Sequence, residues 1–346
     1  MPWQASSTDR RPFGQTTSME TLTFPMTGEE SSLDSASAAV QILREGGIVG
    51  LPTETVYGLA ADALNPMACA RIFEAKGRPL ADPLIVHVPD ISWITRLGVT
   101  NLLVDRLATA FWPGPLTIVI PRNQTVPDIV TGGQNTVAVR MSAHPVFASI
   151  IGAFGGPLAA PSANRFGRIS PTSAEHVMQE LGSRIPFVVD GGPCAHGIES
   201  TIIQIVENKI QILRSGPIST EALGLYGEVQ SPASNTPVTP GSMKSHYAPR
   251  TPMEVLSVAA VAEINMTARV GCGLLLPRPN DSLSAGFSSV EVLSASGDPV
   301  EMATHLFAAM RRLDASELER ILAIPVLGDG IEIAIMERLY KASAHE

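Results

Sequence analysis

The chain has 346 residues, 45% of them apolar and few aromatic, with a formal net charge of −9 and three cysteines. That length favours two domains over one core, the composition excludes a disordered or collagen-like chain, and the acidic balance argues against a general nucleic-acid binder, which carries a basic excess for phosphate neutralisation. Cys69, Cys194 and Cys272 have neither metal-ligand nor redox spacing and read as reduced thiols of the cytoplasm, and no apolar run approaches a membrane span.

In chain order, residues 1–30 are rich in Ser, Thr and Pro, lack the basic start and apolar centre of a secretory signal, and read as a flexible tail. Ser35 suits the N-cap of a helix over residues 36–45, which Gly46-Gly47 ends. The apolar run 48–51 reads as a buried strand, followed by the polar loop Pro52-Thr53-Glu54-Thr55-Val56-Tyr57-Gly58. Asn65 and Pro66 start a second helix that runs to Lys76-Gly77. Strands are expected over 84–88, 116–121, 136–141, 158–160, 187–190, 201–206 and 209–214, with a helix over 101–111 and a tight hairpin at Glu207-Asn208. Alternating strands and helices with a hairpin predict a mixed α/β sheet for a domain over residues 31–227. Residues 228–252, rich in Ser, Pro, Thr and Gly, read as an interdomain linker. Strands over 269–276, 290–293 and 320–326, with helices over 299–313 and 331–342, predict a smaller, doubly wound α/β C-terminal domain over 253–346.

There is no Walker-type phosphate loop, no Gly-x-Gly-x-x-Gly after a strand, no Gly-x-Ser-x-Gly elbow and no metal-ligand cluster in the sequence. Chemistry is left to polar groups at strand ends, where α/β sheets place their sites. Lys76 and Arg78 lie just past a helix end, in a loop stiffened by Pro79 and Pro83. They read either as phosphate ligands, a point charge beside a bidentate fork, or as solvated charges favouring a helix C-terminus. Arg140 ends a buried strand, where an unpaired guanidinium is costly, and binds either a substrate carboxylate or an internal acid. Ser162-Ala163-Asn164 either lets a ligand approach the backbone or is simply a turn; Glu199-Ser200-Thr201 is a ligand loop or a strand start. His87 and His144, taken alone, read as packed core histidines, and Trp112 as core.

Several segments occur in a fixed order: Pro52-Thr53-Glu54-Thr55-Val56-Tyr57-Gly58-Leu59, Ala75-Lys76-Gly77-Arg78-Pro79 leading to Pro83-Leu84-Ile85-Val86-His87, Phe111-Trp112-Pro113-Gly114-Pro115, Val137-Ala138-Val139-Arg140, Ala160-Pro161-Ser162-Ala163-Asn164, Ser170-Pro171-Thr172, Gly197-Ile198-Glu199-Ser200-Thr201, Leu213-Arg214-Ser215-Gly216 and His246-Tyr247-Ala248-Pro249. Together they resemble the YrdC/YciO-like family, and within it the two-domain threonylcarbamoyl-AMP synthases. The resemblance implies a YrdC-like mixed twisted sheet with helices for the first domain. It implies a nucleotidyltransferase that joins L-threonine, bicarbonate and ATP into threonylcarbamoyl-adenylate and pyrophosphate, for threonylcarbamoyladenosine modification of tRNA. Mg²⁺ would accompany ATP, and a tRNA-modification transferase complex would be the downstream partner.

The resemblance assigns phosphate-holding catalytic roles to Lys76 and Arg78. It places Thr55, His87, Arg140 and Ser200 around L-threonine, with Arg140 on the carboxylate. It gives Asp82, Thr136, Ser162, Asn164, Ser170, Arg214, His246 and Tyr247 to the ATP site, the last two closing over the nucleotide. Two positions depart from the family. Asp82 stands where many relatives have Asn or His, and would repel ATP unless it pairs with Arg78 or engages Mg²⁺. Ala160 stands where some have Thr or Ser, one hydrogen bond fewer, worth roughly 0.5–1.5 kcal/mol. The alternative is an RNA-binding module of the same fold without adenylate synthesis; direct tRNA binding is left open.

Overall fold

The computed structural model describes residues 21–25, 29–230, 239–241 and 245–344. The larger of two sheets contains β1 (Leu22–Pro25), β2 (Val49–Leu51), β3 (Gly58–Asp62), β4 (Ile85–His87), β5 (Leu116–Pro121), β6 (Thr136–Arg140), β7 (Leu158–Ala159), β8 (Phe187–Asp190), β9 (Thr201–Val206), β10 (Lys209–Arg214) and β11 (Val229–Gln230). Their order is β1-β8-β2-β3-β7-β4-β6-β5-β9-β10-β11. The sheet is mixed, as the strand–helix alternation with a hairpin predicts: β4 runs parallel to β6 and β5 to β9, while β5–β6 and β9–β10 are antiparallel. Glu207 and Asn208 join β9 to β10 with φ of 50° and 62°, the positive pair that a tight hairpin turn needs.

The smaller sheet is parallel throughout, with β12 (Met253–Val255), β13 (Cys272–Leu276), β14 (Ser289–Val292) and β15 (Arg320–Ala323) in the order β12-β15-β13-β14. Helices Pro299–Asp314 and Ile331–Ser343 bury Leu306, Phe307 and Ile335 with Leu275 and Ile321 on one face. Val261 and Leu283, from short helices, cover Leu274, Leu276 and Leu322 on the other. Apolar residues on both sides of each strand demand this double cover.

Around the larger sheet, helices Glu29–Arg44 and Pro145–Phe154 bury Leu43, Phe147 and Ile150 against Val49, Leu51 and Val189. On the other side, helices Pro66–Lys76, Leu102–Phe111 and Ala174–Leu181 bury Ile72, Leu107 and Val177. The helix Pro66–Lys76 matters most for the site. Asn65 accepts from the backbone of Met67 and Ala68 at its start, and Gly77, at φ 64°, ends it, as the sequence predicts. The left-handed glycine turns the chain so that Arg78 leaves the helix towards β4.

Four expectations need correction. Residues 22–25, assigned to the tail 1–30, form β1, parallel to β8; the rest of that tail up to residue 20, and residues 26–28, lie outside the described residues. Strand pairing satisfies the backbone along β8, which composition does not register. Ser35 is no N-cap: the helix already begins at Glu29, and Ser35 lies buried within it, because packing of Ala39 and Leu43 outweighs a serine's capping preference. β3 and β12 were not expected, being short and without alternation. The linker 228–252 is more than a spacer: it contributes β11 to the sheet and buries Thr239, His246 and Tyr247, while residues 231–238 and 242–244 lie outside the described residues.

Candidate active site

The loop leaving β2 is shaped by its threonines. Thr53 Oγ1 accepts from the backbone N–H of Thr55 at 3.1 Å and of Val56 at 3.2 Å, and donates to Val56 O at 2.6 Å. These local bonds replace sheet pairing and turn Glu54 and Thr55 towards the end of β6. There Arg140 Nη1 donates to Thr55 Oγ1 at 2.9 Å, and Nε donates to Gly114 O at 3.3 Å, while Nη2 lies 2.7 Å from Glu54 Oε1. That last approach is a charge contact without hydrogen-bond alignment. Ser142 Oγ donates to the other Glu54 oxygen. Burial alone would raise the Glu54 pKa; Arg140 and then Ser142 outweigh it and bring it to about 2. Both readings of Arg140 therefore meet: an internal acid already sits on a guanidinium that lines the cleft.

His87 pairs with Arg140 in the β4–β6 register and packs on Phe147, ring centroids 4.8 Å apart. Burial, with Arg140 nearby, lowers its pKa to about 3, and its Nδ1 has no hydrogen-bond partner. It stands in the cleft as a neutral imidazole.

Arg78 also lines the cleft: its Nε donates to Asp82 O at 3.1 Å and Nη2 to Pro83 O at 2.7 Å, with Asp82 Oδ1 2.9 Å away. Asp82, the departure from the family pattern, is thus paired with Arg78; its Oδ2 is buried and without a partner, and burial raises its pKa despite Arg78 and Lys76. Arg214 donates to Ser200 O from Nε at 3.1 Å and from Nη2 at 2.9 Å, to Ser200 Oγ at 3.0 Å, and to Pro240 O at 3.0 Å. Tyr247, held at φ 63°, stacks on Phe307, and His246 packs against both Tyr247 and Phe166. Burial lowers the His246 pKa to about 3.

These groups line one cleft, together with the apolar Ile85 and Ala160. Thr55, Arg78, His87, Arg140, Ser162, Arg214, His246 and Tyr247 line it. Lys76, Asp82, Thr136, Asn164, Ser170 and Ser200 do not, and most have a different task. Lys76 Nζ donates to the carbonyls of Ser162 and Asn164, so it fixes the polar turn from behind; burial and Arg78 push its pKa well below that of an ordinary lysine. Asn164 Nδ2 donates to Arg165 O and Arg168 O, closing the same turn. Ser200 Oγ is bonded to Thr117 Oγ1 at 2.7 Å behind the wall. Thr136 opens β6 at the far end of the strand from Arg140. Two acids that bear on the cleft received no role of their own in the sequence reading: Glu54, paired with the cleft's Arg140, and Glu199, which lines it. Both sit inside quoted segments; only the neighbouring hydroxyls were assigned roles. Trp112 is core, its Nε1 donating to Leu116 O at 2.7 Å.

Comparisons with known proteins match most of the chain. Residues 41–216 match the Sua5_yciO_yrdC family model, described as telomere recombination, and residues 204–344 match the C-terminal domain of threonylcarbamoyl-AMP synthase. The chain is 38% identical to the threonylcarbamoyl-AMP synthase of Pyrococcus abyssi over 322 residues, 89% of this chain and 93% of the relative. It is 37% identical to that of Bacillus subtilis over 332 residues, 92% and 96% of the two chains. The crystal structure of P. abyssi Sua5 complexed with L-threonine superposes with a TM-score of 0.83 at 35% identity, covering 93% of this chain and 98% of that one.

Proposed function

The chain belongs to the Sua5/YrdC family of threonylcarbamoyl-AMP synthases, and from that premise we propose that its cleft condenses L-threonine, bicarbonate and ATP into threonylcarbamoyl-adenylate and pyrophosphate. The observation that carries the reading is one cleft lined by three arginines, Arg78, Arg140 and Arg214, together with a neutral histidine, His87. The threonine amine nitrogen bonds to the bicarbonate carbon with loss of water, giving a carbamate. A carbamate oxygen then bonds to the α-phosphorus of ATP while the bond to the bridging oxygen breaks, and pyrophosphate leaves with that electron pair. No covalent enzyme intermediate is required, so positioning and charge stabilisation carry the catalysis. This accounts for a site without a nucleophile–base pair.

In this reading Arg140 and Thr55 take the amino acid's carboxylate, sharing the guanidinium with Glu54, and neutral His87 offers an unpaired ring nitrogen without adding charge. Arg78 and Arg214 meet the phosphates, and His246 with Tyr247 excludes water above them. Lys76 acts at one remove, by holding the Ser162 turn. Mg²⁺ enters with ATP. Among the described residues no three His, Cys, Asp or Glu side chains gather as a cage, and Mg²⁺ on nucleotides takes mainly phosphate and water ligands with one or two carboxylates. The orphan Oδ2 of Asp82 fits that need; the ion would offset charge on the departing pyrophosphate. The adenylate would pass to a transferase complex acting on tRNA in the cytoplasm. Among the described residues no helix is long and apolar enough to cross a membrane.

Pyrophosphate release measured with L-threonine, bicarbonate and Mg-ATP, each omitted in turn, tests the reading. Every omission should abolish turnover; turnover indifferent to threonine would sink the substrate assignment.

A further inference from the structure

The largest fully buried side chain outside the roles given above comes from the second domain: Arg338, 1% exposed, on the helix Ile331–Ser343. It reaches out of its own unit into the back of the cleft. Its Nε donates to Glu199 Oε2 at 3.1 Å, and its Nη1 donates to Ser215 O at 2.7 Å. The other Glu199 oxygen accepts from Ser170 Oγ at 2.5 Å, so the carboxylate is fully occupied and faces the cleft already neutralised. The guanidinium carbon also lies 5.9 Å from the centre of the Tyr247 ring. The same helix ties down the segment that covers the site: Lys341 Nζ donates to Gly241 O at 2.6 Å, and the Lys341 carbonyl accepts from the His246 N–H at 3.1 Å.

We infer that Arg338 is a positioning residue of the nucleotide half of the site, supplied by the second domain. A bare carboxylate at Glu199 would repel a polyphosphate, because an uncompensated buried charge acts through a weakly screening medium. Arg338 cancels that charge and, through the backbone of Glu199 and Ser215, fixes the two loops flanking Arg214. Its acceptors lie in different directions, which a planar fork reaches and an ammonium does not. The first domain's nucleotide site is therefore incomplete without the second domain's last helix. This inference rests on the nucleotide chemistry proposed above.

The test uses the full chain with Arg338→Met, Arg338→Lys, Glu199→Gln and the two double variants. ATP affinity is read by calorimetry, turnover by pyrophosphate release, and folding by circular dichroism and melting. Arg338→Met should weaken ATP binding roughly tenfold to a hundredfold, one or two steps of 1.4 kcal/mol, with the threonine KM little changed. Adding Glu199→Gln should restore most of the affinity, since no charge is then left to neutralise. If Arg338→Met does not fold, the Arg338→Lys loss and its disappearance in the Glu199→Gln background decide the matter. Wild-type ATP affinity in Arg338→Met, or a folded double variant with no recovery, would overturn the inference and leave the functional reading intact. A wild-type chain that neither binds ATP nor releases pyrophosphate fails the functional reading itself.

Discussion

The two ends assigned to the cleft by the proposed function, for threonine and for nucleotide, hold their arginines differently. Arg140 faces a carboxylate, Glu54, and a hydroxyl, Thr55. Arg214 is held by the carbonyls of Ser200 and Pro240, whereas Arg78 donates to those of Asp82 and Pro83 and is also paired with the Asp82 carboxylate. A carboxylate cancels a guanidinium's charge; a carbonyl orients it and leaves the charge in place. The Arg140 end is close to neutral and suits a zwitterion such as an amino acid. The Arg78–Arg214 end keeps positive charge for a polyanion, less what Asp82 subtracts. The threonine half is built within the larger sheet, whereas the nucleotide half is backed by Arg338 of the smaller domain.

Acid should act on both ends at once and gives the largest expected effect. Glu54, His87 and His246 have folded pKa values near 2, 3 and 3, depressed from ordinary values of 4.5, 6.5 and 6.5. Their contribution is fully present above the unfolded value and is lost as pH falls through the folded one. Stability should therefore decline from about pH 6.5 towards pH 3, with a slope of about 1.4 kcal/mol per pH unit for each proton taken up. Denaturant midpoints against pH check this, and His87→Gln and His246→Gln should each lessen the slope. A flat profile between pH 7 and 4 would contradict the burial argument.

Removing one arginine separates the ends. Arg140→Ala should raise the threonine KM about 100-fold and the ATP KM by less than about threefold, and it should destabilise the fold by about 3–5 kcal/mol because Glu54 is left buried and unpaired. An equal rise in both constants would erase the division. Arg78→Ala should show the mirror image, with ATP affinity weakened roughly thirtyfold, the scale of one charge-assisted contact, and threonine affinity nearly unchanged. The smallest effect is expected from Asp82→Asn. Mg-ATP binding should weaken roughly threefold while metal-free ATP binding holds or improves, because a carboxylate is only one of several oxygen ligands to a nucleotide-bound Mg²⁺. Weaker binding of both forms would show Asp82 acting only through Arg78.

The elements that the sequence made legible are those with local causes. Asn65 and Gly77 bracket the helix that delivers Arg78, and Glu207-Asn208 specify the hairpin, because caps and positive φ are short-range requirements. β1 and β3 were not legible, since their few residues carry no alternation; β1 in addition pairs only with β8, far along the chain. The cleft residues were legible as an ordered set of segments. Which of them touch was not. Lys76 looked like a phosphate ligand, and its ammonium instead lies against two carbonyls behind the Ser162 turn. Glu54 stood in the first of those segments, but its meaning depends on Arg140, at the end of β6 and far along the chain.

By itself the sequence determined the mixed α/β character, the caps at Asn65 and Gly77, the Glu207-Asn208 hairpin and an ordered set of polar and basic candidates for the site. Only the tertiary structure decided the charge each of those residues presents. Burial and long-range pairing set whether an arginine meets a carboxylate or a carbonyl, whether a histidine stays neutral, and that Arg338 from the last helix stands behind Glu199. Local sequence fixes which groups are available; the low-dielectric interior, reached only when distant segments pack, fixes how they are paired.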